Sequence, residues 1–245
     1  MKERADKVLA DRGLVSSRSQ AKSLIEKGDV LFDGKVIKKA GELINPQCEI
    51  EINAPLYVGR GAFKLEKALD EFQINTKDLI AIDVGASTGG FTEILLLRGA
   101  KKVYAIDVGH DQLAAKLRDD ERVVNLEGTN IRDLDQLDEL ADLAVMDISF
   151  ISITKVLGNV FKLLTNSGKL VALIKPQFEA GTERLPKDGV IKDKNVREEI
   201  LKEVVSFAEK NGWIHHQTIQ SPIEGKTGNV EYLSLFSKDP NHSAR

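Results

Sequence analysis

The chain has 245 residues, 42% of them hydrophobic, so it can bury one large core or a large core and a small one. Its 35 Lys and Arg residues against 38 Asp and Glu residues give a net charge of −3, which by itself does not indicate a nucleic-acid-binding protein. The single cysteine, Cys48, excludes an internal disulfide bond, and neither cysteines nor histidines have the number or spacing of a metal site.

The charge is unevenly distributed along the chain. Residues 1–39 hold ten basic and six acidic side chains, so this segment carries +4 and the remainder −7. We therefore expect a basic unit that meets a polyanion, joined to an acidic unit with another role. The N-terminal sequence MKERADKVLADRG lacks the apolar core of a signal peptide, and no apolar stretch approaches 18 residues. These features predict a cytoplasmic protein without a membrane partner.

The first 54 residues predict a small αα-β unit. Apolar residues recur at helical spacing from Arg4 to Leu9 and from Arg18 to Ile25. Alternating apolar residues then surround an Asp33-Gly34 turn, which is typical of a hairpin, and one more short strand follows. We place this unit at residues 1–54 and a linker at 55–60.

This order of elements, with the sequence RADKVLADRGLVSSRSQAKSLIEKGDVLFDGKVI, resembles the S4 RNA-binding domain. The resemblance implies that the turn before the second helix and the cations on that helix contact RNA phosphates. Small hydroxyls at a helix N-terminus beside cations also form an anion site on physical grounds. The alternative is a solvated helical hairpin with capping serines. The residues expected to bind RNA are Arg4, Ser16, Ser17, Arg18, Ser19, Lys22, Lys27 and, after the linker, Arg60.

Residues 61–237 alternate between short apolar runs and helical patterns. This rhythm predicts a Rossmann-like α/β fold, a doubly wound parallel sheet whose ligands bind at the carboxyl ends of its strands. The remaining residues, 238–245, are expected to form a disordered tail. The expected strands are 79–84, 102–107, 122–126, 143–147, 170–175, 213–219 and 229–236, and the expected helices are 89–98, 111–118, 152–164 and 195–211.

A glycine-rich turn, DVGASTGG at residues 83–90, joins the first expected strand to a helix. Its glycines do not have the G-x-G-x-x-G spacing of a dinucleotide site. Asp107 ends the second strand, where a carboxylate accepts hydrogen bonds from ribose hydroxyls. S-adenosylmethionine combines a ribose with a compact amino-acid group, and it is therefore the ligand that the turn and Asp107 predict. An ordinary strand-to-helix corner and a nicotinamide site are the alternatives.

The expected cofactor-binding residues lie in the glycine turn and at the ends of the second, third and fourth strands. They are Asp83, Gly85, Ala86, Ser87, Thr88, Gly89, Gly90, Phe91, Asp107, Val108, Asn130, Ile131 and Asp147.

Residues that are missing from the strand ends argue against two kinds of methyl acceptor. Methylation of base amino groups typically uses an Asn or Asp followed by two prolines, but the fourth strand ends in MDISF. Methylation at a pyrimidine carbon needs a cysteine nucleophile, and Cys48 lies in the small unit. The strand ends carry lysines and acids instead, and a lysine that ends a buried strand must be paired or functional.

Six motifs, RGAFKL, DVGASTGGFTE, DVGHDQL, DISFIS, IKPQFE and GNVEY, follow the S4-like segment in this order. Together they resemble the TlyA (haemolysin A-like) family, ribosomal RNA 2′-O-methyltransferases with an FtsJ-like (RrmJ-like) domain. The resemblance implies a catalytic set at Lys64, Asp147, Lys175 and Glu231, in which Lys175 orients or deprotonates a ribose 2′-hydroxyl. A hydroxyl that attacks a methyl group needs its proton removed and a collinear approach.

The resemblance further implies cytidine in ribosomal RNA, or in ribosomal subunits, as the substrate, with S-adenosylmethionine as the cofactor and no metal. Neither the modified nucleotide nor the oligomeric state follows from the residues. Two other classes of function stay open at this point. They are a membrane-active toxin, as the haemolysin label suggests, and a non-catalytic RNA-binding protein.

Overall fold

The computed structural model describes residues 2–15 and 17–242, so Ser16, one of the expected RNA-binding residues, lies outside the described residues. The chain divides into two compact units, Met1–Val58 and Gly59–Arg245, which we call unit 1 and unit 2. Each has its own buried core.

Unit 1 packs two helices and two small sheets around a core that includes Leu9, Ile25 and Val30. Ser17 caps the start of the second helix, because its side chain accepts a hydrogen bond from the Gln20 amide. Three short strands form an antiparallel sheet in the order β3-β2-β5, and β1 pairs with β4. The elements are β1 (Glu3–Arg4), α1 (Ala5–Asp11), α2 (Arg18–Lys27), β2 (Val30–Phe32), β3 (Lys35–Val36), β4 (Leu43–Ile44) and β5 (Ile50–Ile52).

Unit 2 alternates strands with helices, as the sequence predicts. Its central strands contain continuous apolar runs, at residues 143–146 and 170–174, that are fully buried, which is the pattern of a covered parallel sheet. Its helices are α3 (Ala62–Glu71), α4 (Gly90–Leu97), α5 (Ala115–Arg118), α6 (Leu157–Leu163), α7 (Pro176–Glu179), α8 (Gly181–Arg184) and α9 (Lys194–Lys210). Its strands are β6 (Ile80–Val84), β7 (Lys102–Asp107), β8 (Val123–Glu127), β9 (Ala141–Met146), β10 (Leu164–Ile174), β11 (Trp213–Gln220) and β12 (Tyr232–Lys238).

The seven strands of unit 2 form one sheet in the order β11-β12-β10-β9-β6-β7-β8. The five strands from β10 to β8 in this order are parallel, so their carboxyl ends share one edge. Strand β12 is antiparallel to β10, with Tyr232 opposite Ile174, so the start of β12 lies at that same edge. The predicted Rossmann-like doubly wound fold is confirmed, and the sheet is mixed rather than wholly parallel.

Two helical segments are shorter than their patterns predict. Only Ala115–Arg118 is helical within 111–118, because Asp111 has a left-handed φ of 54° and the Gln112 and Leu113 amides bond to the Glu127 carboxylate. Within 152–164, a 3₁₀ turn at Ile153–Lys155 precedes α6, and the chain enters β10 already at Leu164. Polar side chains that bond to backbone groups compete with regular helix in this way.

The expected tail, residues 238–245, overlaps the end of the unit 2 sheet. Lys238 is the last residue of β12, and its ammonium donates to the carbonyls of Phe161 and Leu164. The Asp239 amide bonds to the Gly212 carbonyl. Backbone hydrogen bonds continue past the strand as far as His242, whose amide donates to the Asp239 carbonyl. Residues 243–245 lie outside the described part of the chain, and disorder of the tail stays a prediction.

Candidate active site and cofactor site

Four charged side chains meet at the carboxyl edge of the unit 2 sheet. Asp147 follows β9 and Lys175 follows β10 directly, so both leave the sheet at this edge. Glu231 comes immediately before β12 and reaches the same edge because that strand runs the opposite way. Lys64 lies in the first turn of α3. These are the four residues that the sequence motifs single out as catalytic, and we call them the quartet.

The charges of the quartet alternate in space. Lys175 Nζ lies 2.5 Å from Asp147 Oδ1, and Lys64 Nζ lies 3.8 Å from Asp147 Oδ2. Lys64 Nζ also donates to Glu231 Oε2 at 2.7 Å. Asp147 therefore lies between two ammonium groups, and Glu231 neutralises the inner one.

Burial makes this alternation necessary. The two lysines and Glu231 are buried, while Asp147 is partly exposed and is the most accessible member of the quartet. An unpaired buried charge would cost several kcal/mol, whereas two cations beside two carboxylates have no net charge. The accessible end, with Asp147 and Lys175, is where a substrate hydroxyl can approach.

Polar neighbours that the sequence analysis does not identify complete the coordination of the quartet. Lys175 Nζ donates to Ser149 Oγ at 2.7 Å, and Gln177 Nε2 donates to Glu231 Oε1 at 3.1 Å. Both neighbours lie inside the DISFIS and IKPQFE motifs, two residues after Asp147 and Lys175 respectively. Their position two residues after a strand-end residue is the sequence signal that could identify them, because short loops after a strand keep such residues at the sheet edge.

An exposed aromatic side chain flanks the accessible end of the quartet. Phe150 is 87% exposed, and its backbone has a φ of 68°, a left-handed value that is rare for a bulky residue. Its ring lies 5.2 Å from the ring of Phe178, which in turn lies 5.7 Å from Lys175 Nζ. A large apolar side chain held in solvent beside a reactive group is suited to stacking on a flat ligand.

The glycine turn allows close packing between three segments of the site. A Cβ at Gly85 would lie 2.7 Å from the Asp147 carbonyl oxygen, and Gly85 has a φ of 85°. A Cβ at Gly90 would lie 3.0 Å from the Ala62 amide nitrogen at the start of α3. These glycines thus bring the β6–α4 turn against the backbones that carry Asp147 and Lys64.

Asp83 supplies a buried carboxylate under this turn. Its Oδ2 accepts hydrogen bonds from the Thr92 amide at 2.9 Å and the Thr92 hydroxyl at 2.7 Å. Its Oδ1 is buried and has no partner among the described residues. Burial raises the pKa of Asp83 to about 7. An oxygen without a partner in this position fits a cationic ligand group, such as the ammonium of an amino acid.

Asp107, at the end of β7, orders the neighbouring loops. Its two oxygens accept hydrogen bonds from the Ser87 amide at 2.7 Å and the Gly109 amide at 2.8 Å. The carboxylate remains partly exposed, and each of its oxygens can accept a second bond, for example from a ribose hydroxyl. Asp107 therefore links the glycine turn to the loop that follows β7.

The other expected cofactor residues divide into exposed and buried groups. Val108 is exposed beside Asp107, whereas Ile131 is buried at the following strand end. Asn130 accepts hydrogen bonds from Arg132 and begins a 3₁₀ turn. Phe91 is buried, and its ring lies next to Gly61, so only its backbone is placed to face a ligand. The turn residues Ala86, Ser87, Thr88 and Gly89 connect Gly85 to Gly90.

The expected RNA-binding residues of unit 1 include an organised ionic cluster. Arg4 donates Nε and Nη2 to the two oxygens of Asp6, each at 3.0 Å, and Arg18 Nη2 donates to Asp6 Oδ2 at 2.9 Å. We call these three residues the arginine cluster. The remaining expected side chains, Ser17, Ser19, Lys22 and Lys27, are exposed on and before α2, and Arg60 is exposed in unit 2.

Within residues 2–15 and 17–242, no group of three His, Cys, Asp or Glu side chains is placed to hold a metal ion. Over the same residues, no helix is long and apolar enough to cross a membrane.

Comparisons with known proteins identify two domain families along the chain. The FtsJ-like methyltransferase family model matches residues 57–238, and the S4 domain model matches residues 3–50. Hemolysin A of Brachyspira hyodysenteriae is 44% identical over 237 residues, which is 95% of this chain and 99% of that protein.

Two further relatives cover nearly the whole chain. The 16S/23S rRNA (cytidine-2′-O)-methyltransferase TlyA of Mycobacterium tuberculosis is 41% identical over 235 residues, 94% of this chain and 88% of that protein. A solved structure from Streptococcus thermophilus, whose name includes the word hemolysin, matches with a TM-score of 0.76 and 42% identity. It covers 97% of this chain and 88% of its own.

Proposed function

The chain belongs to the FtsJ-like methyltransferase family, with an S4 domain before the catalytic domain, and from this premise we propose that it methylates ribose 2′-hydroxyls of ribosomal RNA. It is an S-adenosylmethionine-dependent enzyme. The observation that carries the proposal is the quartet, which lies at the same sheet edge as Asp83 and Asp107. The name of the Mycobacterium tuberculosis relative supports cytidine as the modified nucleoside.

The cofactor fits the residues around the glycine turn. Asp83 would hold its ammonium group with the free Oδ1, and Asp107 would accept from its ribose hydroxyls. Val108, Asn130 and Ile131 would border the adenine. When bound, S-adenosylmethionine supplies an electrophilic methyl group on a positively charged sulfur.

The quartet prepares the hydroxyl that attacks this methyl group. Lys175, held by Asp147 and Ser149, would first release its own proton to bulk water, and its neutral amine would then accept the proton of the 2′-hydroxyl as that oxygen takes the methyl group. The products are a methyl ether, a neutral thioether and a lysine ammonium that Asp147 stabilises. Lys64 and Glu231 keep Asp147 in place from the buried side.

Unit 1 and Phe150 recognise the RNA in this proposal. The exposed cations of unit 1 and Arg60 bind the phosphate backbone, which gives affinity without sequence preference. Phe150 stacks on a base next to the reactive ribose, since RNA sites with unstacked bases are commonly bound by aromatic side chains. Ribosomal RNA or ribosomal subunits are the partners, and we place the protein in the cytoplasm, where they are found.

The test is methyl transfer from labelled cofactor to unmethylated ribosomal subunits, followed by mapping of 2′-O-methyl groups on the RNA. We expect label on ribose, loss of label with Lys175→Ala, and normal label with the control Lys202→Ala, whose side chain is exposed on α9. Label on a base, or no loss with Lys175→Ala, would contradict the proposal. Lysis of red cells by the purified protein without cofactor would favour the membrane-active alternative instead.

A further inference from the structure

A buried acid, Asp6, lies between two exposed arginines of unit 1. Asp6 is 5% exposed, whereas the side chains of Arg4 and Arg18 are 51% and 55% exposed. A carboxylate in this place lowers the positive potential that attracts RNA. On charge alone, therefore, Asp6 weakens the function of the surface in which it lies.

The geometry of the cluster gives Asp6 a positive role. One oxygen, Oδ2, accepts from Nη2 of both arginines, at 3.0 Å from Arg4 and 2.9 Å from Arg18, and Oδ1 accepts from Arg4 Nε. Two guanidinium groups are thereby held side by side although they repel one another. The paired contact with Arg4 also fixes the plane of that guanidinium, because both bonds are made by one rigid fork.

Asp6 itself is fixed by the backbone. It lies in the first turn of α1, and its amide donates to the Ala40 carbonyl at 3.0 Å. A Cβ at Gly41 would lie 3.0 Å from Arg4 Nη1, so a glycine lets the guanidinium lie close to this loop. The hydrogen bonds from Arg4, followed by the one from Arg18, lower the pKa of Asp6 to about 2, so the carboxylate stays charged at neutral pH.

We propose that Asp6 is a positioning residue for RNA binding, which holds Arg4 and Arg18 as a preformed clamp for one RNA phosphate. This inference rests on the proposed function, since it takes ribosomal RNA as the ligand. Each guanidinium has five N–H donors, and Asp6 uses two of those of Arg4 and one of those of Arg18. Because the arginines are ordered before RNA arrives, less side-chain entropy is lost on binding.

The experiment measures the affinity of Asp6→Asn for unmethylated ribosomal subunits at several salt concentrations. We expect binding to weaken about tenfold, and the slope of log affinity against log salt to fall by about 1, as for the loss of one phosphate contact. The sign decides, because removal of a negative charge would strengthen binding if the acid did not order the arginines. The matched control is Asp11→Asn, an exposed acid of the same helix, which should leave affinity unchanged or slightly raise it.

A second comparison excludes a general folding defect. In the Arg4→Ala/Arg18→Ala background, addition of Asp6→Asn should leave affinity unchanged or raise it, since the clamp is already gone. Cofactor binding by unit 2 should be normal throughout, and amide exchange should show α1 and α2 still protected. Equal or tighter binding by Asp6→Asn in the otherwise unsubstituted protein would overturn the inference. Failure of the unsubstituted protein to bind ribosomal subunits would instead reject the proposed function.

Discussion

The two units combine the same kinds of ion pair with opposite charge balance and exposure. The arginine cluster of unit 1 has two cations, one carboxylate and a net charge of +1, and its cations are half exposed. The quartet of unit 2 has two cations, two carboxylates and no net charge, and three of its members are buried. An exposed surplus of charge attracts a polyanion over a distance, whereas a buried, balanced set presents individual proton donors and acceptors to a substrate.

The largest expected effect separates chemistry from binding. Lys175→Ala should reduce methyl transfer by about a thousandfold or more, since loss of a general base typically costs about 10²–10⁴ and Asp147 also loses its partner. Lys175→Arg should be equally inactive, because a guanidinium keeps the charge but does not accept a proton at neutral pH. Single-turnover assays and subunit affinities measure both effects.

Both Lys175 variants should bind cofactor and ribosomal subunits normally. Substantial activity of Lys175→Arg would show that the residue only orients the hydroxyl. Weak RNA binding by either variant would contradict the division of roles between the two clusters, because the quartet would then contribute to RNA affinity as well as to methyl transfer.

The two clusters should differ in how much they contribute to the free energy of unfolding. Glu231→Gln leaves the buried Lys64 ammonium without its closest partner and should lower the free energy of unfolding of unit 2 by about 3–5 kcal/mol. Arg18→Ala removes a half-exposed partner and should cost about 1 kcal/mol or less. Denaturant titration measures both. Equal costs would mean that burial does not distinguish the clusters.

A third prediction uses the opposite pKa shifts of two buried acids. Burial raises the pKa of Asp83 to about 7. Between about pH 4 and pH 7, the folded state therefore holds a proton on Asp83 that the unfolded state has already released. Stability should therefore fall by roughly 4 kcal/mol as the pH rises from about 4 to about 7, and level off above that. The pKa of Asp6 is lowered to about 2, so its contribution is lost only as the pH falls from about 4 toward 2.

Asp83→Asn should remove the neutral-pH part of this dependence. Unfolding of the cofactor-free protein at pH 5, 6, 7 and 8 measures the change, with Asp11→Asn as the exposed control. Cofactor affinity should rise with pH through about 7 in the native protein, because the ionised carboxylate attracts the ammonium, and should be weak in the variant. A native affinity that is level across this range would argue against Asp83 as the ammonium partner.

The smallest expected effect concerns the hydrogen bond from Lys175 to Ser149. Ser149→Ala removes one of the two acceptors that hold Lys175 Nζ, so kcat should fall about three- to tenfold. Ser149→Thr, which keeps the hydroxyl, should restore most of the activity. Affinity for subunits should be unchanged in both variants. A weaker affinity with unchanged kcat would show instead that Ser149 contacts the RNA.

The sequence was sufficient for the fold class because the unit 2 strands are continuous apolar runs that end in polar residues. It also singled out the quartet, since each member lies in a recognisable motif next to a strand or helix. It does not by itself pair Ser149 with Lys175 or Arg18 with Asp6, because these contacts depend on rotamers and join separate segments of the chain. The contacts of Lys238 are missed for the same reason, because its ammonium bonds to carbonyls more than 70 residues earlier.

The antiparallel direction of β12 makes the site depend on both ends of unit 2. Lys64 lies in α3, near the start of that unit, whereas Glu231 immediately precedes β12, near its end. A variant shortened before this strand would lack Glu231, and the Lys64 ammonium would lose its closest partner. In the proposed function, methyl transfer therefore requires this strand as well as the glycine turn, although the two are far apart along the chain.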